Sequence, residues 1–481
     1  MDMWLKLRET LATDIERPCI TNQHGKCLKR GEVLGLVYGL VSEIKKNAVA
    51  GSRITVLNSH PFYDAISVLA VLAAGCVVVP MSLNYGEDLC SKIVNRVIPD
   101  IILTDIEHLP ETILTEINKC NTAIIRSNTL LSSGSVEYIQ RKTDDTAMIM
   151  FTSGTSGIPK GVILSHSNII SNLIDIKQYF KLSSEDHIVI PRPLYHAAVM
   201  TGEFLHSILC GTRITFYNEL FSPKRLIRFI SDVRCTVMCA TPTIFHYLSI
   251  VKDIKNFSAL KQAVVSGECL QATVARRLIE SFPNVLFYNV FGLTEASPRV
   301  SYLPPEYFST KIGSVGIPLK SVSIKIIDDT GEQVKNKTIG ELLVKGPNVM
   351  SGYWNDSELS LQKIRNGWLY TGDLAYLDED DFLYIIGRKD HMIIKAGMNI
   401  YPQEIENILQ QNSSIKEALV WGEFDSKCGQ CIRAKVVPQN EEPLTEEVVM
   451  EICRNQLPTY QCPDSVEIVQ ELPRNASGKI I

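Results

Sequence analysis

An α/β protein is predicted from three features of the sequence. Strand-like and helix-like runs alternate through residues 50–300, the texture turns β-rich from about 310 to 390, and a compact α/β pattern returns after about 390. The expected architecture is a large N-terminal domain of α/β-layered sheets plus a β-rich subdomain over 1–389, then a small α+β C-terminal domain over 390–481. A chain of 481 residues also exceeds what a single core usually fills.

Each element has its own signal. "SRITVLN" (52–58) reads as a strand leading into an apolar helix, and "AISVLAVLAAGCVVVPM" (65–81) as a buried helix, a glycine stop and a buried strand. "DIILTD", "EDHIVIPRPL", "GTRITFYN", "CTVMCATP" and "KQAVVSG" repeat the buried-strand theme, with helical patterns such as "SPKRLIRFISDV" between them. In the β-rich region, "GSVGIPLKSVSIKIIDDTGEQV", "GELLVKG" and "FLYIIGRKD" are short strands punctuated by a DTG turn. "YPQEIENILQQN", "IKEALVWGEF", "IRAKVVPQ" and "TEEVVMEICRNQL" supply the α/β alternation of the last domain.

Composition excludes several classes. The formal net charge of −5 offers no basic field for nucleic acid or an acidic membrane, and 45% hydrophobic with 21% charged residues is ordinary for a globular protein. The apolar run 65–81 is short for a membrane span and is broken by Gly75 and Pro80. "MDMWLKLRETLATD" has no apolar leader core, so a cytoplasmic chain with reduced thiols is expected. The thirteen cysteines lack disulfide-framework spacing; Cys428, Cys431, Cys453 and Cys462 are read as packing thiols, with structural zinc as the alternative.

The densest chemical signal is "FTSGTSGIPKGVILSH" (151–166), placed between the strand pattern "TAMIMF" and the helix pattern "SHSNIISNLIDI". Glycines let backbone N–H groups converge, hydroxyls add donors, and Lys160 adds charge, which together make a cradle for phosphate oxygens. Taken alone, such a stretch is equally a flexible surface loop. Its spacing is not GxxxxGK[ST], which argues against a P-loop ATPase or kinase.

This stretch resembles the phosphate loop of the adenylate-forming enzymes, the family of acyl- and aryl-CoA synthetases, peptide-synthetase adenylation domains and beetle luciferases. "NVFGLTEAS" (289–297) is similar to the family's adenine and magnesium motif. "WLYTGDLAYLDEDDFLYIIGRKDHMIIKAGMNIYPQEIE" (368–406) resembles its ribose, hinge and thiol-channel motifs, and "PRNASGKI" its C-terminal lysine motif. The resemblance runs from about residue 30 to Lys479, in family order.

It implies ATP and Mg²⁺ as cofactors, and a carboxylic acid converted to an acyl-AMP with release of pyrophosphate. CoA, or the phosphopantetheine of a separate carrier protein, then takes the acyl group. It further implies that Thr152, Ser153, Thr155 and Lys160, with the backbone of Gly154 and Gly157, hold the β- and γ-phosphates, and that Phe291 stacks on adenine near Gly267 and Glu268. Thr294 is implied at the α-phosphate, Glu295 and Thr152 on magnesium, and Asp373 on the ribose hydroxyls with Arg388 close by. Lys479 is the implied catalytic lysine, Asp390 the hinge of a rotating C-terminal domain, and Gly397 the lining of the thiol channel. Each of these residues alone also has an ordinary reading as a solvated charge, a core ring or a surface ion pair.

The acyl pocket is expected from 192–204, 239–245 and the segment after 264. Amino-acid-activating relatives place an aspartate early in the first of these; here the chain reads Pro193-Leu194-Tyr195-His196, with no acid before Glu203, so a non-amino acid is expected. His196 is a candidate pocket-wall residue or a hydrogen-bonded core histidine. Arg299 is read as a brace for a loop, with a second substrate carboxylate as its alternative partner. A non-catalytic nucleotide-binding protein is the remote alternative, and the retained Lys479, Glu295 and Asp373 argue against it.

Overall fold

The computed structural model describes residues 2–474 apart from 23–24, 130–138, 153–158, 252–258, 396–397, 413, 426–428 and 440–443. The chain divides into two units. The first comprises Met1–Leu270, Val274–Ser323 and Val344–Leu369; the second comprises Gln271–Thr273, Ile324–Leu343 and Tyr370–Ile481.

The first unit is built on two large sheets. In one, nine strands run in the order Ile317–Pro318, Arg299–Leu303, Leu286–Gly292, Gln262–Val265, Val237–Ala240, His187–Ile190, Arg213–Phe216, Pro18–Thr21, Cys27–Lys29. Its interior pairs are parallel and its edges antiparallel. In the other, seven strands run Gly352–Tyr353, Lys160–Ser165, Thr146–Thr152, Val77–Pro80, Arg53–Val56, Ile101–Thr104, Ala123–Arg126. Parallel strands carry helices on both faces, which is why Val77–Pro80, Ile101–Thr104, His187–Ile190 and Val237–Ala240 are buried at every position.

The helices follow their sequence cues. Pro61–Ala73 starts at a proline, with His60 Nδ1 accepting from Phe62 N at 3.1 Å, and is apolar nearly all round because it is buried nearly all round. It stops before Gly75, whose φ of +69° suits the turn into Val77–Pro80. Pro223–Asp232 buries Leu226, Ile227 and Ile230 and exposes Lys224, Arg225 and Arg228. His166–Tyr179 is fixed by a reciprocal cap: Ser165 Oγ accepts from Asn168 N at 3.1 Å while Asn168 Oδ1 accepts from Ser165 N at 2.9 Å.

The second unit contains the antiparallel pair Trp368–Leu377 and Leu383–Arg388 and a three-stranded sheet of Ile415–Asp425, Gly429–Pro438 and Ser465–Ile468. Helices Pro402–Gln411 and Glu446–Gln456 join the latter in a core of Ile405, Leu409, Val420, Ile432, Val436 and Val449. Each such fully buried aliphatic side chain contributes about 1.5–3 kcal/mol. Cys453 and Cys462 belong to that core, as packing thiols do. Cys428 lies outside the described residues, and among those described no group of three or more His, Cys, Asp or Glu could hold a metal ion. No described helix is long and apolar enough to cross a membrane.

Candidate active site

The chain order of the nine-stranded sheet creates a crevice. From His187–Ile190 the chain moves to Arg213–Phe216 on one side, then crosses to Val237–Ala240 on the other. The loops leaving the two neighbours His187–Ile190 and Val237–Ala240 therefore part at their carboxyl ends, where open α/β sheets bind ligands. The expected pocket segments leave from this edge: Arg192–His196, then Thr241, which caps Pro242–Ser249, then Ser266–Glu268, and finally Phe291–Glu295.

Glu295 sits on a short 3-10 turn, Thr294–Ala296, directly after Leu286–Gly292. The turn is held from several directions. Asn348 Nδ2 donates to the carbonyls of Ala296 and Arg299 at 2.9 and 3.0 Å, and Met350 N donates to the Glu295 carbonyl at 2.9 Å. A Cβ on Gly292 would stand 2.2 Å from the Pro298 carbonyl oxygen, so only glycine lets the strand fold back so closely. The half-buried Glu295 carboxylate accepts from the Tyr353 hydroxyl at 2.8 Å.

Tyr353 ties this turn to the hairpin of Thr146–Thr152 and Lys160–Ser165. It pairs with Val162 in the sheet, and Trp354 N donates to the Gly161 carbonyl at 2.7 Å. Thr152 and Lys160 face each other across the hairpin as a register pair. A Cβ on Gly161 would meet Ile149 and Phe151 at 3.0 Å and Trp354 at 3.1 Å, so the glycine is a packing requirement there. The donor set suits a hard divalent cation: an oriented carboxylate on Glu295 and the hydroxyl of Thr152, on elements joined through one sheet edge.

In the second unit, Asp373 and Arg388 are cross-strand partners, with Arg388 Nη1 donating to Asp373 Oδ1 at 3.3 Å and to the Thr371 carbonyl at 3.0 Å. The Asp373 side chain is 8% exposed. Arg388 Nε also reaches Asp390 Oδ1 at 3.2 Å. Burial pushes the Asp390 carboxyl up, but the Arg388 guanidinium overrides it and holds the group below the usual carboxylate range. Lys389, next in line, donates to Asp329 at 3.0 Å and Glu341 at 3.2 Å.

Among the remaining sequence-derived candidates, Gly267 adopts φ +99°, and Glu268 Oε2 accepts from Thr243 Oγ1 at 2.8 Å. Phe291 is half-buried on its strand. The His196 ring packs on Tyr195 with centroids 4.3 Å apart, and its carbonyl accepts from Met200 N at 2.8 Å. Ser153, Gly154, Thr155, Gly157, Gly397 and Lys479 lie outside the described residues. Sequence reading missed Tyr353 and Asn348, which orient Glu295, and the buried ion pair of Arg192 with Glu203. Only the arginine in "PRPLYH", a cation in an otherwise apolar stretch, carried a sign of the last.

Such a crevice, with an oriented carboxylate beside the Thr152–Lys160 hairpin, is the kind of place where enzymes of the α/β class bind their ligands. The chain belongs to the AMP-binding enzyme family, whose model matches residues 45–354, with the family's C-terminal domain matching 404–479. It is similar to a feruloyl-CoA synthase of Amycolatopsis sp, 28% identical over 468 residues that cover 95% of this chain and 93% of the relative. It is also similar to a long-chain-fatty-acid–CoA ligase of Yersinia pestis, 30% identical over 485 residues that cover 95% of this chain and 85% of the relative. Among solved structures, o-succinylbenzoate CoA synthetase from Bacillus subtilis in complex with its acyl-adenylate superposes with a TM-score of 0.88 at 26% identity, covering 100% of this chain and 97% of the other.

Proposed function

We propose that this chain is an ATP-dependent acid–CoA ligase that activates a carboxylic acid as acyl-AMP, releases pyrophosphate, and passes the acyl group to the CoA thiol. Family membership and the CoA-ligase relatives support that reaction class. A carboxylate is a poor acyl donor, and its mixed anhydride with AMP has a good leaving group. Two anions must approach one another in the first step, so the site has to concentrate positive charge and hydrogen-bond donors.

The observation that carries this reading is the Glu295 carboxylate, oriented by Tyr353 on the strand beside the Thr152–Lys160 hairpin. In this reading Lys160, with the hydroxyls of Thr152, Ser153 and Thr155 and the backbone of Gly154 and Gly157, binds the β- and γ-phosphates. Thr294 meets the α-phosphate, and Glu295 and Thr152 hold magnesium, which supplies Lewis-acid charge neutralisation when bound. Phe291 offers its ring face to adenine, with Gly267 and Glu268 along the same pocket. Asp373 accepts from the ribose hydroxyls, and Arg388 orients that carboxylate. His196 forms a wall of the acid pocket. Lys479 bridges the substrate carboxylate and the α-phosphate, Asp390 serves as the hinge, and Gly397 leaves room for pantetheine.

The test is ATP–pyrophosphate exchange over a panel of carboxylic acids with Mg²⁺, followed by CoA or the phosphopantetheine of a carrier protein as acceptor. Exchange with at least one acid, AMP as the nucleotide product and thioester formation with CoA are expected. ADP release without pyrophosphate would overturn the assignment, and thioester formation only on the carrier protein would replace the acceptor. Lys479→Ala is expected to abolish exchange while still converting a supplied acyl-adenylate with thiol.

A further inference from the structure

Beneath the crevice lies a buried polar layer that the proposed adenylation chemistry does not use. Arg192, on the loop after His187–Ile190, donates to Ser266 Oγ at 2.9 Å and to the Ser266 carbonyl at 3.3 Å, and forms an ion pair with Glu203. Glu203 sits on a π-helical turn, Met200–Leu205, and its side chain is 0% exposed. Arg192 Nε and Glu203 Oε2 are both buried without a hydrogen-bond partner.

Arg299 completes the layer from the far side. It begins the strand Arg299–Leu303 and is 2% exposed. Its backbone is clamped, since its N–H donates to Asn172 Oδ1 at 3.2 Å and its carbonyl accepts from Asn172 Nδ2 at 2.8 Å. Its guanidinium lies along Gly202, where a Cβ would stand 3.1 Å from one terminal nitrogen. Among the described residues this guanidinium makes no ion pair within 4.0 Å, and its Nε is buried without a partner. The Tyr179 hydroxyl stands beside it, a neutral neighbour that brings no counter-charge. The clamp on Asn172 is made by the Arg299 backbone, which leaves the guanidinium to the buried layer.

The charges do not balance. Two guanidinium groups face one carboxylate, and the other titratable neighbours add no anion. Burial holds His206 neutral, with its pKa pushed down to about 4, and pushes the Cys239 thiol well up. Burial also raises Glu203 against the pull of Arg192 and Arg299, and either protonation state of that carboxyl leaves the layer positive. Buried charge of this kind is ordinarily paired, and a guanidinium is shaped to take a carboxylate with two parallel donors.

We infer that the acid activated by this chain carries a second anionic group at its far end, a dicarboxylic acid esterified to AMP at one carboxylate. Arg299 reads the distal carboxylate and the Arg192–Glu203 pair positions the surrounding layer. This inference rests on the acid-activating reading above and names the substrate class of the same crevice. Binding the distal carboxylate completes an alternating set, two cations with two anions.

The experiment compares matched acids in ATP–pyrophosphate exchange: aliphatic and aryl dicarboxylic acids of graded length, each beside its monoamide and its methyl-terminated isostere. For the best diacid, kcat/KM is expected to exceed that of its monoamide at least tenfold. In Arg299→Gln that ratio is expected to collapse toward one, and Arg299→Lys to retain part of it, with thermal unfolding confirming that both variants fold. A wild-type ratio near one, or an equal loss on every acid in both variants, overturns the inference while leaving the acid-activating reading intact. If no acid supports exchange, the acid-activating reading fails, and stabilisation of the wild type but not Arg299→Gln by diacids in thermal unfolding decides the anion site separately.

Discussion

Tyr353 donates its hydroxyl to Glu295 at 2.8 Å, joining residues 58 apart in the sequence on the edge of the Thr152–Lys160 hairpin. A carboxylate that is to hold a cation gains from having one oxygen fixed, because its orientation is then settled before the cation arrives. Tyr353→Phe removes that donor and keeps the ring. The expected outcome is a roughly 10–100-fold higher Mg²⁺ requirement for exchange, measured by metal titration at saturating ATP. An unchanged Mg²⁺ dependence would show the contact to be structural only.

Asp373 is held by Arg388 across two strands at 3.3 Å. Hydrogen bonds to a charged acceptor are worth about 1.5–3 kcal/mol, so Asp373→Asn is expected to raise KM for ATP roughly 10–100-fold. The matched control is a 2′,3′-dideoxy nucleotide. Loss of the ribose hydroxyls should cost the wild type as much as the substitution does, and should cost the variant little more.

The Arg192–Glu203 pair predicts an asymmetry in stability. Glu203→Ala strips two buried guanidinium groups of their only neighbouring carboxylate among the described residues and should destabilise the chain by about 3–5 kcal/mol. Replacing both members, Arg192→Met with Glu203→Met, should cost less than Glu203→Ala alone, since a buried pair exchanged for packed apolar groups is often near neutral. Urea unfolding of the three proteins checks the order.

Glu406 gives a pH signature in the second unit. Burial raises its carboxyl from 4.5 to about 7, opposed by the hydrogen bond it accepts from Val420 N at 2.8 Å. The folded state then keeps a proton that the unfolded state has released between about pH 4.5 and 7, so stability falls as pH rises through that window and levels off above it. Glu406→Gln keeps the acceptor and removes the titration. It should flatten the slope and add on the order of 2–3 kcal/mol at pH 8, read by unfolding at pH 5 and pH 8.

The parallel sheets were legible because their strands are short, continuously apolar runs bounded by glycine and proline, as in Val77–Pro80 after Gly75 and Val237–Ala240 before Pro242. Edge elements were not. Pro18–Thr21, Cys27–Lys29 and Ser465–Ile468 are only three or four residues long, and their pairing partners are distant in sequence. The motif residues were legible because several stand together, as Thr294 and Glu295 do. The groups that orient them were not, because Tyr353, Asn348, Asn172 and Arg192 act through contacts that only the fold creates. Arg299 marks the limit of such reading: a cation next to a motif suggests a loop brace until its side chain is found buried beside Gly202, with no ion pair among the described residues.

Glu295, on its turn, and Arg299, at the start of the next strand, stand four residues apart on a segment clamped by Asn348 and Asn172. In the reading proposed above, the point where the nucleotide's charge is managed and the point where the acid ends are fixed to the same short piece of backbone. A segment so pinned acts as a gauge: acids that span its reach are accepted as they are, and longer or shorter chains can be accommodated only by rebuilding the loops after His187–Ile190 and Gln262–Val265. Variation in substrate length should therefore accumulate in those loops and spare the segment.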